Sequence, residues 1–568
     1  MAKRAASDAG AGNEVIVTRA SLRSLARRVR GRAARGRAVA LRLRSPTFDG
    51  SVTAFLRAAV PVDLAAERLP VVLARAEAAG CHVSVAADSD LPPCCLGPAF
   101  GRHEALAHDA VPLPPRAERF FGTACRTCAL VERCPGLSRA FAVLVGDRGL
   151  RPVRSADLPR GLRVIPARSA RRARPASWRA RAREALVDRP GHARRAVDLL
   201  PLSRLPAPAC ILPWTRLDLF PAAEPSAGYT YGPCCSVFPK ESRAAPRNAT
   251  LPELFDSPWM QDFRRAMRDG EPQRLCRDTC PMLQMGTARL EDLVLDGGPA
   301  PFVEAQLDRL EAILEGRLRL GFGPEMLHVP PASACNYDCR MCEWGESGRR
   351  DDELSDVFWA DLQRLLPGLK RLLVSSAGEP LLSPAFRRFL AGFPFVDAPW
   401  FELTMVTNAS LVDDRVVAAL ARVPRCDVVV SLNAATARTY RRVNRGLPLA
   451  RVRPKLDLLR NAYDTGRLRG ALVYSMVLLH SNRHELAAFC ARAARDGAGV
   501  RLMLPYHDRE GESILTDRAA MTATLRDLEA VLRGRCGTGW WSNWIRDVLF
   551  AAKLLRQRLD AGVEEPLP

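Results

Sequence analysis

The stretch "MLHVPPASACNYDCRMCEWG", residues 326–345, places three cysteines directly after a short apolar segment. They are Cys335, Cys339 and Cys342, so their spacing is C-x3-C-x2-C. The apolar segment is typical of a buried strand, and the cysteines fall in the loop that follows it. A tetrahedral metal site normally takes four ligands, and no fourth cysteine lies nearby. The spacing therefore predicts a centre held by three thiolates, with one position left open for chemistry.

The residues around this loop predict an α/β fold. Amphipathic helical stretches alternate with apolar segments from residue 326 to residue 505. The predicted strands are "MLHVPPA", "RLLVSSA", "FELTMVT", "DVVVSLN", "LVYSMVLL" and "VRLMLPY". Strands that alternate with helices of this length imply a parallel sheet. About six such units predict a partial (β/α)6 TIM-like barrel, whose chemistry lies at the C-terminal ends of the strands.

Four sequence elements together resemble the radical S-adenosylmethionine (radical SAM) enzyme superfamily. Besides the cysteine spacing, "SSAGEP" at 375–380 is similar to its Gly-Gly-Glu-Pro segment, and "TNAS" at 407–410 to its Thr-Asn-Gly. "SLNAATARTYRRVNRG" at 431–446 is similar to its Ser-x-Asp-Gly segment, helix and Arg-Gly. The resemblance implies a [4Fe–4S] cluster on Cys335, Cys339 and Cys342, whose fourth iron binds S-adenosylmethionine. The cofactor-binding residues that it implies are Gly378, Glu379, Pro380, Asn408, Ser431, Asn433 and Arg445.

The resemblance also assigns roles to these residues. Glu379 would meet the amino group of the methionine moiety, and Arg445 would pair with its carboxylate. Ser431 and Asn433 would lie near the nucleoside and the amino acid. The sequence departs from the commonest family residues at Met341, Ala377 and Asn433, and none of these changes removes a metal ligand.

Two cysteine-bearing segments precede the predicted barrel. Residues 206–290 carry "CILPWTRLDLF", "GYTYGPCC" and "LPELFDSPWMQDFRRAMRDGEPQRLCRDTC", which resemble the SPASM or twitch auxiliary-cluster domains. The ligands implied there are Cys210, Cys234 or Cys235, Cys276 and Cys280, with a structural zinc as the alternative. Residues 51–150 contain "PPCCLG" and "CRTCALVERCPG". Here the similarity implies a second auxiliary cluster on Cys95, Cys125, Cys128 and Cys134, while zinc or no metal remains an alternative.

The resulting organisation is an α/β protein with N-terminal cysteine-rich α+β modules and a helical C-terminus. The predicted segments are a basic lead (1–50), a first cysteine module (51–150), an Arg/Pro-rich linker (151–205), a second cysteine module (206–290), a connecting helix (291–325), the barrel (326–510) and C-terminal helices (511–568). In most similar proteins the auxiliary domain follows the barrel, whereas here both cysteine modules precede it.

Composition favours a cytoplasmic protein with no membrane span. The 568 residues include 48% apolar residues, but no apolar run approaches the ~18 residues that a span needs. The N-terminus also lacks the apolar core of a secretion signal. Most of the 17 cysteines fall in close sets, which in a reducing compartment favours metal ligation over disulfides.

The net charge of +22 is concentrated in two arginine-rich stretches, residues 19–44 and 168–195. Solvated helix faces and a linker explain them as well as an acidic partner does, and no nucleic-acid-binding signature accompanies them. The sequence therefore predicts a radical SAM oxidoreductase that abstracts hydrogen from a peptide or protein and takes electrons from a flavodoxin or ferredoxin. The alternative is a non-enzymatic zinc or iron–sulfur protein that binds nucleic acid through the arginine-rich segments.

Overall fold

The computed structural model divides the chain into two compact units. The first comprises residues 1–173, 200–205 and 532–541, and the second comprises residues 174–199, 206–531 and 542–568. The residues described are 14–22, 24–25, 40–107, 119–120, 125, 128–130, 133–147, 149–154, 176–200, 208–222, 228–234, 241, 243–246, 249–277, 280, 282–283, 288–342, 354, 356–375, 377–505, 508–534 and 543–562. Much of both arginine-rich stretches, and Cys235, lie outside them.

The first unit begins with three parallel strands that pair in chain order. Its strands and helices are β1 (Glu14–Ile16), β2 (Ala40–Arg44), α1 (Val52–Ala58), α2 (Val62–Ala78), β3 (His82–Val85), α3 (Glu104–Ala107), β4 (Arg119–Phe120), β5 (Leu137–Ser138) and α4 (Arg139–Leu144). Ser51 caps α1, because its side chain accepts a hydrogen bond from the amide of Ala54. Strands β4 and β5 pair antiparallel.

The second unit is built on one sheet of nine strands. The strands of this unit are β6 (Ala193–Arg195), β7 (Arg216–Pro221), β8 (Tyr229–Gly232), β9 (Arg243–Ala244), β10 (Val294–Asp296), β11 (Met326–Val329), β12 (Arg371–Val374), β13 (Glu402–Thr407), β14 (Arg425–Ser431), β15 (Leu472–Val477) and β16 (Gly499–Met503). The order in the sheet is β16-β15-β14-β13-β12-β11-β7-β8-β9, and β6 pairs separately with β10. Strands β11 to β16 run parallel, which confirms the six predicted strands.

Helices connect the parallel strands and continue beyond them. They are α5 (Ala176–Leu186), α6 (Ala196–Leu199), α7 (Leu212–Thr215), α8 (Leu251–Phe255), α9 (Pro258–Arg268), α10 (Ala300–Glu315), α11 (Asp356–Arg364), α12 (Pro384–Gly392), α13 (Asp414–Leu420), α14 (Ala437–Asn444), α15 (Leu449–Asp464), α16 (Leu486–Arg495), α17 (Arg518–Arg533) and α18 (Asn543–Ala561). Helices α17 and α18 agree with the predicted helical C-terminus. Within the described ranges, no helix has both the length and the apolar character that crossing a membrane requires.

The segment upstream of the six parallel strands is part of the same sheet. Strand β7 pairs in parallel with β11, so that Arg216 lies opposite Met326 and Asp218 lies opposite His328. Strand β8 then pairs antiparallel with β7, and β9 with β8. The sequence predicts 206–290 as a module separate from 326–510, but the structure joins their strands edge to edge in one compact unit.

The two faces of strands β11 to β16 differ in burial. On one face the side chains are apolar and at most 2% exposed, and they are Leu327, Val374, Leu403, Met405, Val428, Val430, Met476 and Leu502. On the opposite face, which we call the polar face, several side chains are only half-buried, among them Thr404, Ser431 and Arg501. This alternation has the period of two that a strand imposes. The apolar face carries the core of the sheet, and the polar face is left open to solvent or a ligand.

Candidate functional site

Cys335, Cys339 and Cys342 lie together in the loop that follows β11. All three are half-buried. Burial raises the pKa of the Cys339 thiol well above its usual range, and the neighbouring Cys342 and Cys335 raise it further. Burial also raises the pKa of Cys335, with nearby Glu379 and Cys342 acting in the same direction. Thiols grouped in this way are costly to ionise unless a cation binds them, so the loop favours a metal centre.

The loop rests on the C-terminal end of α14. The amide of Arg340 donates to the carbonyl of Val443 at 2.8 Å, and the Cys339 thiol donates to the carbonyl of Asn444 at 3.4 Å. Gly446 follows this helix, and a Cβ there would lie only 2.2 Å from Cδ1 of Tyr337. The predicted "VNRG" segment therefore supports the cysteine loop from below, and its glycine leaves room for the Tyr337 ring.

Gly378 allows the turn after β12 to cross the cysteine loop. Its φ is +67°, and a Cβ there would lie 2.4 Å from the carbonyl oxygen of Ala332 and 2.5 Å from that of Ala334. Only glycine tolerates both the conformation and the approach. The crossing lets the amide of Glu379 donate to the carbonyl of Ala334 at 2.8 Å. The "AGEP" turn and the cysteine loop are thus bonded through their backbones.

Glu379 joins the ends of neighbouring strands. Its carboxylate accepts hydrogen bonds from the Thr407 hydroxyl at 2.7 Å, from the Asn408 amide at 2.8 Å and from the Leu381 amide at 3.3 Å. The side chain is nearly inaccessible to solvent, and burial raises its pKa, while the bonds from Asn408 and Thr407 oppose the rise. Glu379 is therefore held rigidly beside Cys335 by β13, and it also caps the turn that continues into the buried Pro380.

Two asparagines predicted to bind the cofactor connect other strand ends to the loop. The side-chain amide of Asn408 donates to Oδ1 of Asn336 at 2.9 Å, inside the cysteine loop. The side-chain amide of Asn433 donates to Oδ1 of Asn444 at 2.9 Å, and its own Oδ1 accepts from the Val477 amide at 3.0 Å. Ser431, half-buried, ends β14 on the polar face. These contacts bring the ends of β12, β13 and β14 around the three thiols.

Arg445 lies at this end of the sheet, but its guanidinium is paired within the protein. It contacts Glu510 through a two-pronged ion pair, with Nη1 at 2.6 Å from Oε1, and it lies 3.8 Å from Asp338. The structure thus does not leave this arginine free for a cofactor carboxylate. Its backbone has a left-handed φ of +38° at the end of α14, where it accepts a 3.3 Å hydrogen bond from the amide of Asp338.

The sequence analysis did not identify Arg509, which fastens the cysteine loop from the opposite side. Its guanidinium donates to the carbonyl of Cys339 at 3.0 Å and to the carbonyl of Cys342. Arg340 of the loop also pairs with Glu510 and Glu512, each at 2.9 Å. The segment "DREGES" at 508–513 alternates in charge, but such a pattern is equally typical of an exposed turn, and only the fold brings it to the loop.

The second cysteine group lies in the same unit. Burial raises the pKa of Cys210 to about 12, and the proximity of Cys280 and Cys276 contributes. All three side chains are buried. The structure thus brings three predicted ligands together, whereas Cys234 is half-buried at the end of β8 and Cys235 lies outside the described residues.

Arg264 on α9 holds this second group in place. It is fully buried, and it donates to the carbonyl of Pro213 at 3.0 Å and to Asp256 at 2.9 Å. A further bond of 2.6 Å reaches the carbonyl of Leu318. Burial lowers its pKa to about 10, with Asp256 opposing the change. The arginine of the auxiliary-like motif therefore ties "CILPW" to the helix that precedes Cys276.

The first unit has a cavity that four cysteines line. They are Cys94, Cys125, Cys128 and Cys134. Amides point at two of the sulfurs, with Gly136 donating to Cys134 and Val153 donating to Cys128, both at 3.4 Å. Amide bonds to sulfur are what thiolate-bound metal centres use to tune the metal. The cavity includes Cys94 in place of the predicted Cys95, whose side chain is fully buried.

The donor atoms of these groups fit iron–sulfur centres. Thiolates are soft ligands, which select Zn, Cu(I) or Fe–S clusters. Across the residues that the structure describes, no three His, Cys, Asp or Glu side chains converge on the position of a single metal ion. A single zinc ion holds its sulfurs about 3.8 Å apart, given Zn–S bonds of ~2.3 Å. A four-iron cluster spreads its thiolates over separate irons and thus takes a wider set.

Comparison with known proteins adds a family. Residues 329–493 match the family model of the radical SAM superfamily. The span includes the three cysteines of the loop and every predicted cofactor-binding residue. No curated protein matches the sequence significantly.

Solved structures show only a distant likeness. The chain is similar to SuiB of Streptococcus suis bound to S-adenosylmethionine, at 16% identity and a TM-score of 0.31, over 41% of this chain and 54% of that chain. For SuiB bound to the precursor peptide SuiA, the values are 14%, 0.30, 51% and 65%. For anSMEcpe with bound AdoMet, they are 15%, 0.29, 37% and 61%.

The aligned part spans between half and two-thirds of those three chains, and TM-scores near 0.3 carry no argument about this one. The assignment therefore depends on the family model and on the site. Residues 329–493, with their C-x3-C-x2-C loop and the strand ends gathered around it, form a domain of the radical SAM enzyme superfamily.

Proposed function

We propose that this protein is a radical SAM enzyme that reductively cleaves S-adenosylmethionine and abstracts hydrogen from a substrate. The observation that carries the proposal is the grouping of Cys335, Cys339 and Cys342 in one loop, supported by the ends of three parallel strands. A [4Fe–4S] cluster bound there would supply the electron that converts S-adenosylmethionine into methionine and a 5'-deoxyadenosyl radical. The chain itself holds the thiols, orients the cofactor and limits the access of water.

The cofactor would occupy the polar side of the strand ends. Gly378, Pro380, Asn408, Ser431 and Asn433 border this region together with Glu379. Because the hydrogen bonds from β13 fix Glu379, its carboxylate can accept from the methionine amino group without reorganising. Arg445 would have to exchange Glu510 for the cofactor carboxylate, so we regard it as the least secure member of the set.

The sheet that carries the site is a partial barrel in this proposal. Arg501 on β16 lowers the pKa of His328 on β11, although burial is the larger cause. These strands are five spacings apart in the sheet, which is about 24 Å if the sheet were flat. Such a separation would leave little interaction. We infer that the sheet curls toward its polar face, as a (β/α)6 arc does.

Auxiliary metal centres complete the proposal. Cys210, Cys276 and Cys280, with Cys234 or Cys235, would hold one iron–sulfur cluster that binds substrate or accepts an electron. The cavity lined by Cys94, Cys125, Cys128 and Cys134 would hold another, for which its N–H···S bonds are suited. A peptide or protein substrate is the first candidate, because the upstream motifs resemble SPASM domains. A flavodoxin or ferredoxin in the cytoplasm would supply electrons.

The test is 5'-deoxyadenosine production by the anaerobically reconstituted, reduced protein. Cys335→Ala, Cys339→Ala and Cys342→Ala should each reduce production to background, because each removes an iron ligand. Cys490→Ala, in α16 of the same unit, is the matched control and should retain production. Production that persists in any of the three loop variants would overturn the proposal.

A further inference from the structure

The polar face of the central sheet carries a hydrogen-bonded group away from the cysteine loop. Nδ1 of His328 lies 3.0 Å from Oδ2 of Asp218, and Nε2 lies 2.7 Å from the hydroxyl of Ser375. Burial opposes the ionisation of Asp218, but Arg216 and His328 outweigh it and lower the carboxyl pKa. A charged Asp218 makes Nδ1 the protonated nitrogen, so Nε2 accepts from Ser375. The imidazole is therefore neutral, because burial also lowers its pKa.

Arginines on this face are matched with carboxylates, with one exception. Nη2 of Arg216 lies 2.8 Å from Asp218, and Nε of Arg371 lies 2.8 Å from Glu402. Arg501 occupies the same face, opposite Ser475 in the sheet register. Within the described part of the chain, no carboxylate lies within ion-pair distance of it. Its side chain is nonetheless half-buried, whereas a typical unpaired arginine lies on the surface.

The environment of Arg501 is electrostatically positive. The nearest group of opposite charge on this side, Asp218, is already shared between Arg216 and His328. Arg501 lies close enough to His328 to disfavour the protonated imidazole, which places its charge over the interior of the arc. A half-buried guanidinium in such a place pays desolvation without recovering it from an ion pair. An incoming anion would supply that pair, and water is the competing occupant.

We propose that the polar face binds a carboxylate group of the substrate, with Arg501 as its ionic partner. This inference rests on the proposed function, because the strand ends that border the polar face are those proposed to hold the cofactor. The substrate class is accordingly a molecule with a free carboxylate, such as a peptide with an acidic side chain or an unblocked C-terminus. Guanidinium and carboxylate suit each other through two parallel hydrogen bonds, a geometry that an amide cannot match.

The test compares carboxylates with their amides. The twenty N-acetyl amino acids and the corresponding N-acetyl amino acid amides are titrated into reconstituted protein with S-adenosylmethionine present and reductant absent. We expect at least one free carboxylate to bind at least tenfold more tightly than its amide. Arg501→Gln should remove this preference and Arg501→Lys should restore part of it. Arg453→Gln, an exposed arginine of α15, is the control and should keep it.

Two results would overturn the inference. One is a panel in which no carboxylate binds better than its amide, and the other is a preference that survives Arg501→Gln. Because this assay uses no reductant, it is independent of 5'-deoxyadenosine formation. Failure of cofactor cleavage would therefore count against the proposed function, while failure of the carboxylate preference would count against Arg501 alone.

Discussion

Gly378 determines how closely the cofactor-binding turn can approach the cysteine loop. The missing side chain leaves the space in which two backbone segments cross, and a methyl group there would overlap two carbonyl oxygens. The same crossing positions Glu379 to bridge the ends of β12 and β13. A single residue thus sets the distance between the proposed cluster and the proposed methionine contacts.

We predict that Gly378→Ala displaces the cysteine loop. The clash with backbone and the left-handed φ together should cost about 2–5 kcal/mol of folding free energy. The measurements are urea unfolding and iron content after anaerobic reconstitution. Gly466→Ala is the matched control, because Gly466 has a φ of +68° and nothing within 4 Å of the added Cβ. Equal effects of the two substitutions would mean that the crossing is not the constraint.

At the scale of elements, the segment 508–513 closes the site from the far end of the sheet. Arg509 binds two carbonyls of the cysteine loop, while Glu510 pairs with both Arg340 and Arg445. A turn that follows β16 therefore stabilises a loop that follows β11. This link explains how a loop with so little regular structure can keep three thiols together.

We predict that Arg509→Gln loosens the loop without unfolding the unit. Each lost bond from a guanidinium to a carbonyl is worth about 1–3 kcal/mol. Iron should dissociate faster from the barrel centre when a chelator is added, at least several-fold. Arg526→Gln, an exposed arginine of α17, should leave the rate unchanged. A chelation rate equal to that of the unmodified protein would remove Arg509 from the account of the site.

The parts of this site that were predicted from sequence depend on local signals. The six strands β11 to β16 are short apolar runs between turns, and the cysteine spacing and the Gly-Glu-Pro turn are each contiguous. The roles of Arg509 and of β7 were not predicted, because they depend on distant pairing. Arg216 and Met326 are partners in the sheet although 110 positions separate them in the chain, from 326 minus 216. Nothing in the period of either segment reveals its partner.

At the scale of the molecule, the chain has cysteine groups in both compact units. The group in the first unit is defined by the fold rather than by spacing, since adjacent residues Cys94 and Cys95 differ in their surroundings. Cys94 lines the cavity with three other thiols, whereas Cys95 is fully buried. The side chains of consecutive residues point in different directions, so a sequence cannot tell which member of a Cys-Cys pair is the ligand.

We predict that Cys94→Ser lowers the metal content of the protein and that Cys95→Ala does not. Serine keeps the size of the residue but replaces a soft ligand with a hard one. Because each unit is compact by itself, 5'-deoxyadenosine production should continue in both variants. Metal analysis and the nucleoside assay on the same preparations check both statements. Equal metal loss in the two variants, or none in either, would contradict the proposed ligand set.

The position of β7 beside β11 has a consequence for how the sheet is assembled. From β7 onward, the strands of the sheet lie side by side in the order in which the ribosome makes them. Each new parallel strand therefore finds its neighbour already synthesised, and β11 emerges next to a hairpin-covered edge. Chains fold in an N-terminal to C-terminal direction during synthesis, and unpaired strand edges invite aggregation. The upstream segment thus acts as a built-in template for the nascent catalytic domain.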